Sequence, residues 1–384
     1  MWYVPITRDN PLRTQRSLAA LKQEVEHRVQ AGEMPVAGMA LEDARDALGA
    51  IDSLERDAWS QAFSDRADRW LERAASLQAL SADDAREAFR RAWRLFAFAR
   101  WPTENTPFKR YTYPRALAAF RNYGRLLDSP LEMVSIPFRN ETIVGYLRLP
   151  HAPRPAPLVL GISGLDSRKE DVMVLSQAYI EQGLALFAVD MPGTGEAPVG
   201  LDGDAEGMFA AILDYFAARA DLDATRVVVQ GRSWSSYWAA RLAVTEHERV
   251  RGAVVHGGPI HEYFQPRWLA PSLDSPEYLY DYLPATAALF NAATLDELLE
   301  RAPRFSLVDA GLVGRPAAPM LLVNGARDSQ VPIGDLTLLR DRGGARDAWI
   351  NPAGGHMGRS PDGPAKRILD EVIMPWIINQ LSSD

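Results

Sequence analysis

A serine set between bulky neighbours, where a β-branched run gives way to helical spacing, is the most reactive arrangement in this chain. In VVVQGRSWSSYWAARLA, residues 227–243, the apolar run meets Gly231, then Ser233, and small residues lead directly into a helical pattern. A strand that turns sharply into a helix at Ser233 projects the serine hydroxyl from the end of a sheet, the layout of a nucleophile elbow. The neighbours two positions away must be small for strand and helix to approach. Gly231 meets that demand, and Ser235 stands where the usual G-x-S-x-G pattern has its second glycine.

A serine hydroxyl becomes a nucleophile when a base takes its proton, and histidine is the usual base because its pKa lies near neutrality. Of the six histidines, His27 falls in a helical N-terminal region, His151 in a proline-rich connection and His247 in a charged segment. His256 and His261 follow the strand-like GAVV, and His356 lies in the glycine-flanked loop NPAGGHMGRS after the last predicted strand. His356 is the predicted base, with His261 the second choice. The base needs an acid to fix its tautomer. Asp328, directly after MLLVNG in GARDSQVP, is the predicted acid, and Asp335, Asp341 and Asp347 are alternatives nearby.

Acyl transfer also needs donors aimed at the developing oxyanion, and backbone amides supply them without side-chain entropy. The amide of Trp234 is one expected donor, and that of Leu165, in the loop after PLVLGISG, is the other. Ser163 in that loop lacks the strand-to-helix turn of a nucleophile. Asp166, Arg168, Lys169, Glu170 and Asp171 crowd the same loop and are expected to cap the next helix and hold the loop through ion pairs. MPGTGEAP is glycine-rich without the G-K-[ST] of a phosphate loop, and no H-E-x-x-H or other metal-ligating cluster appears. The site is therefore expected to work with neither metal nor cofactor.

These residues need a scaffold, and the hydrophobic pattern supplies one. From about Pro11 to Leu127 the chain is helical in character: LAALKQEVEHRV, LEDARDALGAI and DDAREAFRRAWRLFAFARW carry apolar residues at three- and four-residue intervals, the last with a capping start at Ser81. Arg86, Arg90, Arg91 and Arg94 read as a solvated face. The pattern changes near Asp128, where LEMVSIPFRNETIVGYLRLP alternates around a polar turn and predicts an antiparallel hairpin. PLVLGISG, LALFAVDMPGTG, RVVVQGRSW, GAVVHGGPI, PMLLVNGARD and DAWINPAGG then follow, mostly separated by helix-length segments, which predicts a parallel sheet covered on both faces. Ligands in such sheets bind beyond the carboxyl ends of the strands. The interval from Pro259 to about Pro319 is longer than a crossover helix needs and predicts a lid. Within it His261, Tyr263 and Phe264 are candidate substrate contacts, with Trp268, Tyr278, Tyr280 and Tyr282 further aromatic candidates.

The chain has 384 residues, 47% apolar and 24% charged, a size suited to one large α/β domain with an appended domain. A net charge of -8 disfavours nucleic acid or an anionic membrane as partner. No cysteine is present, which excludes disulfides and thiolate chemistry. MWYVPITRDNPLRTQR turns polar at once, unlike a signal peptide, and no apolar run reaches membrane-spanning length. A cytoplasmic protein acting on a small molecule is the expectation.

With these residues in place the chain resembles the α/β-hydrolases of the group that includes the fermentation-respiration switch protein, bacterial dihydroxypseudooxynicotine hydrolase and the fungal yellowish-green-pigment polyketide-shortening hydrolase. The resemblance rests on SGLDSRKED, VDMPGTGEAP, GRSWSSYWAARLA, GARDSQVP and GGHMG, and on FARWPTENTPFKRY before the hairpin. It implies an α/β-hydrolase fold with a mostly parallel central sheet, a helical domain over residues 1–127, a catalytic domain over 128–384 and a lid at about 261–310. It also implies a homodimer, and Ser-Asp-His chemistry on esters or on carbon–carbon bonds beside a ketone. The order Ser233, Asp328, His356 is the order of that fold. GRSWSS departs from the group's G-x-S-x-G-G at Ser235 and Ser236. Acyl transfer or lactone formation on the same residues, and a protein-binding regulator on a hydrolase scaffold, are the competing functions.

Overall fold

A computed structural model describes residues 16–152, 154–344, 347–361 and 363–382. Two compact units separate between Leu131 and Glu132. The first is helical: α1 Leu18–Ala31, α2 Leu41–Gly49, α3 Arg56–Leu77, α4 Ala82–Ala99 and α5 Pro107–Arg125. Ser81 caps α4 by accepting from the Asp84 amide. The apolar side of α4, with Phe89, Trp93 and Phe96, is buried.

The arginines of α4 do not form the solvated face expected of them. Arg94 is 3% exposed and donates to the Pro35 carbonyl, and Arg90 donates to the Gly38 carbonyl. Arg91 pairs with Asp43, which also accepts from Arg66 and from the Trp70 indole. Asp43 is itself 1% exposed, so its charge is tolerated only because these donors surround it. The guanidinium groups serve loop carbonyls and one buried carboxylate, and their long stems cross apolar surface to do so.

The second unit is built on eight strands: β1 Glu132–Phe138, β2 Glu141–Arg148, β3 Ala156–Ile162, β4 Ala185–Val189, β5 Leu222–Arg232, β6 Gly252–His256, β7 Met320–Gly325 and β8 Asp347–Asn351. Their order in the sheet is β1-β2-β4-β3-β5-β6-β7-β8. β1 and β2 form the predicted antiparallel hairpin, β2 runs antiparallel to β4, and the remaining neighbours are parallel. β3, β4, β6 and β7 are buried along their whole length, the reason these segments are continuously apolar and do not alternate. No helix among the described residues is long and apolar enough to cross a membrane.

Between β6 and β7 lie the short helices Pro266–Ser272, Tyr282–Leu289 and Leu295–Arg301. Their entry is fixed by one carboxylate. Asp335, wholly buried, accepts from the amides of Ile260 at 2.8 Å, His261 at 3.1 Å, Glu262 at 2.6 Å and Tyr263 at 3.2 Å. Four amides converging on one carboxylate set the direction in which the insertion leaves the sheet. Asp335→Asn turns one acceptor oxygen into a donor facing those amides, and it is expected to lower stability by about 1–3 kcal/mol. Urea unfolding checks this; a midpoint equal to that of the wild type would remove Asp335 from the role.

Candidate active site

Ser233 follows β5 directly and takes a left-handed backbone angle, φ 53°. That conformation is uncommon for a residue with a side chain and persists only where the surroundings enforce it. The enforcement is visible on both sides. A Cβ on Gly231 would stand 2.5 Å from the Ser235 carbonyl oxygen and 2.5 Å from the Ser236 Cα, so strand and helix approach only because that Cβ is missing. Ser235, wholly buried, accepts from the Arg232 amide at 2.9 Å and lies 2.8 Å from the Ile162 carbonyl, to which its hydroxyl donates. The serine in place of the usual glycine therefore ties the elbow to the end of β3. Ser236 accepts from the His256 amide at 2.9 Å and donates to the His256 carbonyl at 3.0 Å, fastening the helix Ser236–Thr245 to β6.

The Ser233 hydroxyl lies 2.7 Å from His356 Nε2, and His356 Nδ1 lies 2.8 Å from Asp328 Oδ2. With the imidazole proton on Nδ1, directed at the carboxylate, Nε2 is free to accept from the serine. The Asp328 side chain is fully enclosed and that of His356 nearly so. Asp328 Oδ1 accepts from the amides of Gln330 and Val331, and Oδ2 accepts from Asn324 Nδ2 at 2.9 Å as well as from His356. Burial raises the Asp328 carboxyl, but the His356 charge and these hydrogen bonds outweigh it and hold the group below its ordinary value.

The loop carrying His356 is held by residues that sequence reasoning did not single out. Asn324, the last polar residue of β7, turns its Oδ1 to the Met357 amide at 2.9 Å, so one side chain joins the acid to the histidine loop. His256 Nε2 donates to the Met357 carbonyl at 2.8 Å. Met357 is thus held from both ends in a left-handed conformation, φ 63°. Glu277, from the insertion, accepts from the His356 amide at 2.7 Å and from the Ser329 amide at 2.8 Å, bridging the base and acid loops. A polar residue ending an apolar strand was a readable signal for Asn324; nothing local marks Glu277.

The loop after β3 lies against the nucleophile. A Cβ on Gly164 would stand 3.7 Å from the Ser233 Cβ, and Leu165 follows, 5% exposed. The Trp234 amide opens the 3₁₀ turn Ser233–Ser235, where no preceding turn supplies it an acceptor. Of the crowded charges of the β3 loop, Lys169, Glu170 and Asp171 cap the helix or form ion pairs as expected, while Arg168 donates to the Leu165 and Ser167 carbonyls. Asp171 caps its helix through the Arg168 amide, and buried Lys169 pairs with Asp190 at 2.9 Å, Glu196 at 2.7 Å and Glu170 at 3.2 Å. The Lys169 and Arg168 charges overcome the burial of Asp190 and keep its carboxyl below the ordinary value.

Among the candidates in the insertion, His261 Nδ1 lies 2.7 Å from the Ser306 hydroxyl and has no contact with the Ser233–His356–Asp328 group among the described hydrogen bonds. Phe264 is wholly enclosed by the rings of Trp234, Tyr237, Tyr263 and Phe305. Tyr263 is also enclosed, and its hydroxyl lies 3.3 Å from that of Tyr282. Trp268 donates its indole to the Gln330 carbonyl.

With this geometry in place, the sequence can be set beside known families: the model of the family described as Esterase FrsA-like fits residues 50–344. The chain belongs to the FrsA-like esterase family. Esterase FrsA of Vibrio cholerae serotype O1 is 30% identical to it over 148 residues, 38% of this chain and 36% of that protein. The alpha/beta hydrolase ucsC of an Acremonium species is 28% identical over 272 residues, 62% of this chain and 55% of that protein. The matched stretch thus covers less than two thirds of either relative. The crystal structure of 2,6-dihydroxy-pseudo-oxynicotine hydrolase matches with a TM-score of 0.75 at 21% identity, covering 92% of this chain and 95% of that chain. The fold of this FrsA-like chain is that of an α/β-hydrolase, with a mostly parallel sheet, as its sequence implied.

His256 makes a testable contribution to stability. Burial, reinforced by the Arg232, His356 and Arg359 charges and opposed by the Met357 carbonyl, lowers its imidazole from 6.5 to about 3. The unfolded chain takes up a proton near 6.5 that the folded chain refuses until about 3, so stability from this group is present above that window and is lost as pH falls through it. The expected slope from this one group is about 1.4 kcal/mol per pH unit. Urea unfolding of the wild type and His256→Gln between about pH 4 and about pH 7 reads it, and parallel profiles would refute it.

Proposed function

We propose that the chain is a serine hydrolase. In this reading Ser233 attacks a carbonyl carbon, His356 takes the serine proton and returns it to the leaving group, Asp328 orients the imidazole, and the Trp234 and Leu165 amides hold the oxyanion. The observation that carries it is the relay from Ser233 through His356 to Asp328, with links of 2.7 Å and 2.8 Å. Membership of an esterase family supports the reaction class. An ester and a ketone with a stabilised carbon leaving group share this attack and differ in what departs, so the reading extends to both. The proton transfers need no cofactor; the family resemblance adds a homodimer, and the composition of the chain supports a cytoplasmic location and a small-molecule substrate.

The relay also speaks against a regulator that has lost its chemistry, because each link is at hydrogen-bonding distance. Short-chain 4-nitrophenyl esters provide the test. Ser233→Ala is expected to lower kcat/KM by on the order of a thousandfold or more. Equal turnover by wild type and variant would sink the assignment.

A further inference from the structure

Beside Ser233 the fold encloses two hydrogen-bonding groups that have no partner among the described residues. The Trp234 side chain is 2% exposed and its Nε1–H meets no acceptor; the Thr286 hydroxyl, wholly buried, meets nothing either. Both lie near the Tyr263 hydroxyl without reaching hydrogen-bond geometry. Tyr282 and Thr286 stand one turn apart on one face of the helix Tyr282–Leu289, and the Tyr282 hydroxyl is 3.3 Å from that of Tyr263. Tyr278 stacks on the Tyr282 ring at 4.4 Å, which fixes the orientation of that ring.

Among the described residues only one hydrogen bond, between the Tyr263 and Tyr282 hydroxyls, forms inside this group, so most of its donor hydrogens are unspent. An indole N–H only donates, and a pair of hydroxyls bonded to each other leaves one hydrogen over. Burial pushes the Tyr263 hydroxyl up to about 12 and that of Tyr282 well above 10, so both keep their protons at neutral pH. Trp234 follows Ser233 directly and its ring lies 6.0 Å from that of Phe264, the neighbour of Tyr263, which sets the group beside the nucleophile, and the Asp328 charge raises both tyrosines further. Phenylalanine and valine would fill the same space without leaving polar atoms stranded, and native interiors rarely keep such atoms idle. The set contains no cation and feels a nearby carboxylate, which disfavours an anionic ligand and favours a neutral acceptor.

We propose that Trp234 Nε1, Tyr263, Tyr282 and Thr286 form a subsite for a neutral oxygen acceptor, a ketone or similar carbonyl oxygen, which the substrate carries beyond the carbonyl that Ser233 attacks. The subsite rests on the serine-hydrolase reading and names what that hydrolase selects. A site built to hydrogen-bond an oxygen discriminates strongly against the analogue lacking it, whereas a purely apolar pocket does not.

The test uses matched pairs of esters. In one series the ketone sits at carbon 3, 4 or 5 of the acyl chain and each ester is compared with its plain alkanoate; in the other the ketone sits in the alcohol. The wild type is expected to prefer at least one oxo ester by roughly tenfold or more in kcat/KM. Tyr263→Phe, Tyr282→Phe and Thr286→Val are each expected to reduce that ratio several-fold. Thr286→Val, which deletes an idle hydroxyl, is expected to leave the thermal midpoint unchanged or raise it, a result that a merely structural hydroxyl would not give. Equal rates within every pair, with turnover abolished in Ser233→Ala, would overturn the subsite and leave the hydrolase reading standing. A preference that survives all three substitutions would overturn it too. Turnover that survives Ser233→Ala would overturn both.

Discussion

The enclosed charge of Asp328 is the constraint on which the rest of the site depends. A carboxylate with no access to water has to be met by donors, and this one receives two backbone amides, an asparagine and the imidazole. Each donor brings a piece of structure with it. The amides fix the turn after β7, the asparagine reaches across to Met357, and the imidazole is held with its other nitrogen toward Ser233. Glu277 closes the circuit from the insertion by binding the two loops together. The reactive geometry is in this sense a by-product of satisfying one buried charge.

Residues at strand ends were legible because an apolar run that stops at glycine or a polar residue marks where a parallel sheet exposes its carboxyl edge. That rule led to Ser233, Asp328 and His356, which the fold brings within hydrogen-bonding distance of one another. Asn324 ends an apolar strand in the same way, yet its value emerges only when the Met357 amide is seen beside it. Asp335 was visible as an acid near Asp328 but not as the clamp on residues 260–263, since that depends on which way its helix faces. The order of the sheet, with β4 between β2 and β3, was not legible either, because backbone pairing leaves little trace in residue type.

Two departures from expectation share a cause. Ser235 stands where the elbow pattern has a glycine, and the α4 arginines were expected to form a solvated face. In both, a polar side chain was judged by its usual exposure, whereas it is consumed internally by a backbone carbonyl: Ile162 for Ser235, Pro35 and Gly38 for Arg94 and Arg90. Backbone carbonyls that lack a partner in helix or sheet recruit whatever donor is in reach. Sequence patterning counts side chains and does not count those carbonyls.

The long separation between nucleophile and base carries a consequence for how the molecule comes into being. Ser233 and His356 are 123 residues apart, and the base follows the last strand of the sheet. During synthesis the elbow, the β3 loop and the insertion all leave the ribosome before any histidine stands opposite the serine. A nascent chain therefore has no base for Ser233 until β8 and the loop after it are made, and the two contacts that hold Met357 can form only then. Damage that shortens the chain before His356 yields a protein with most of the sheet-forming sequence and no base for its nucleophile.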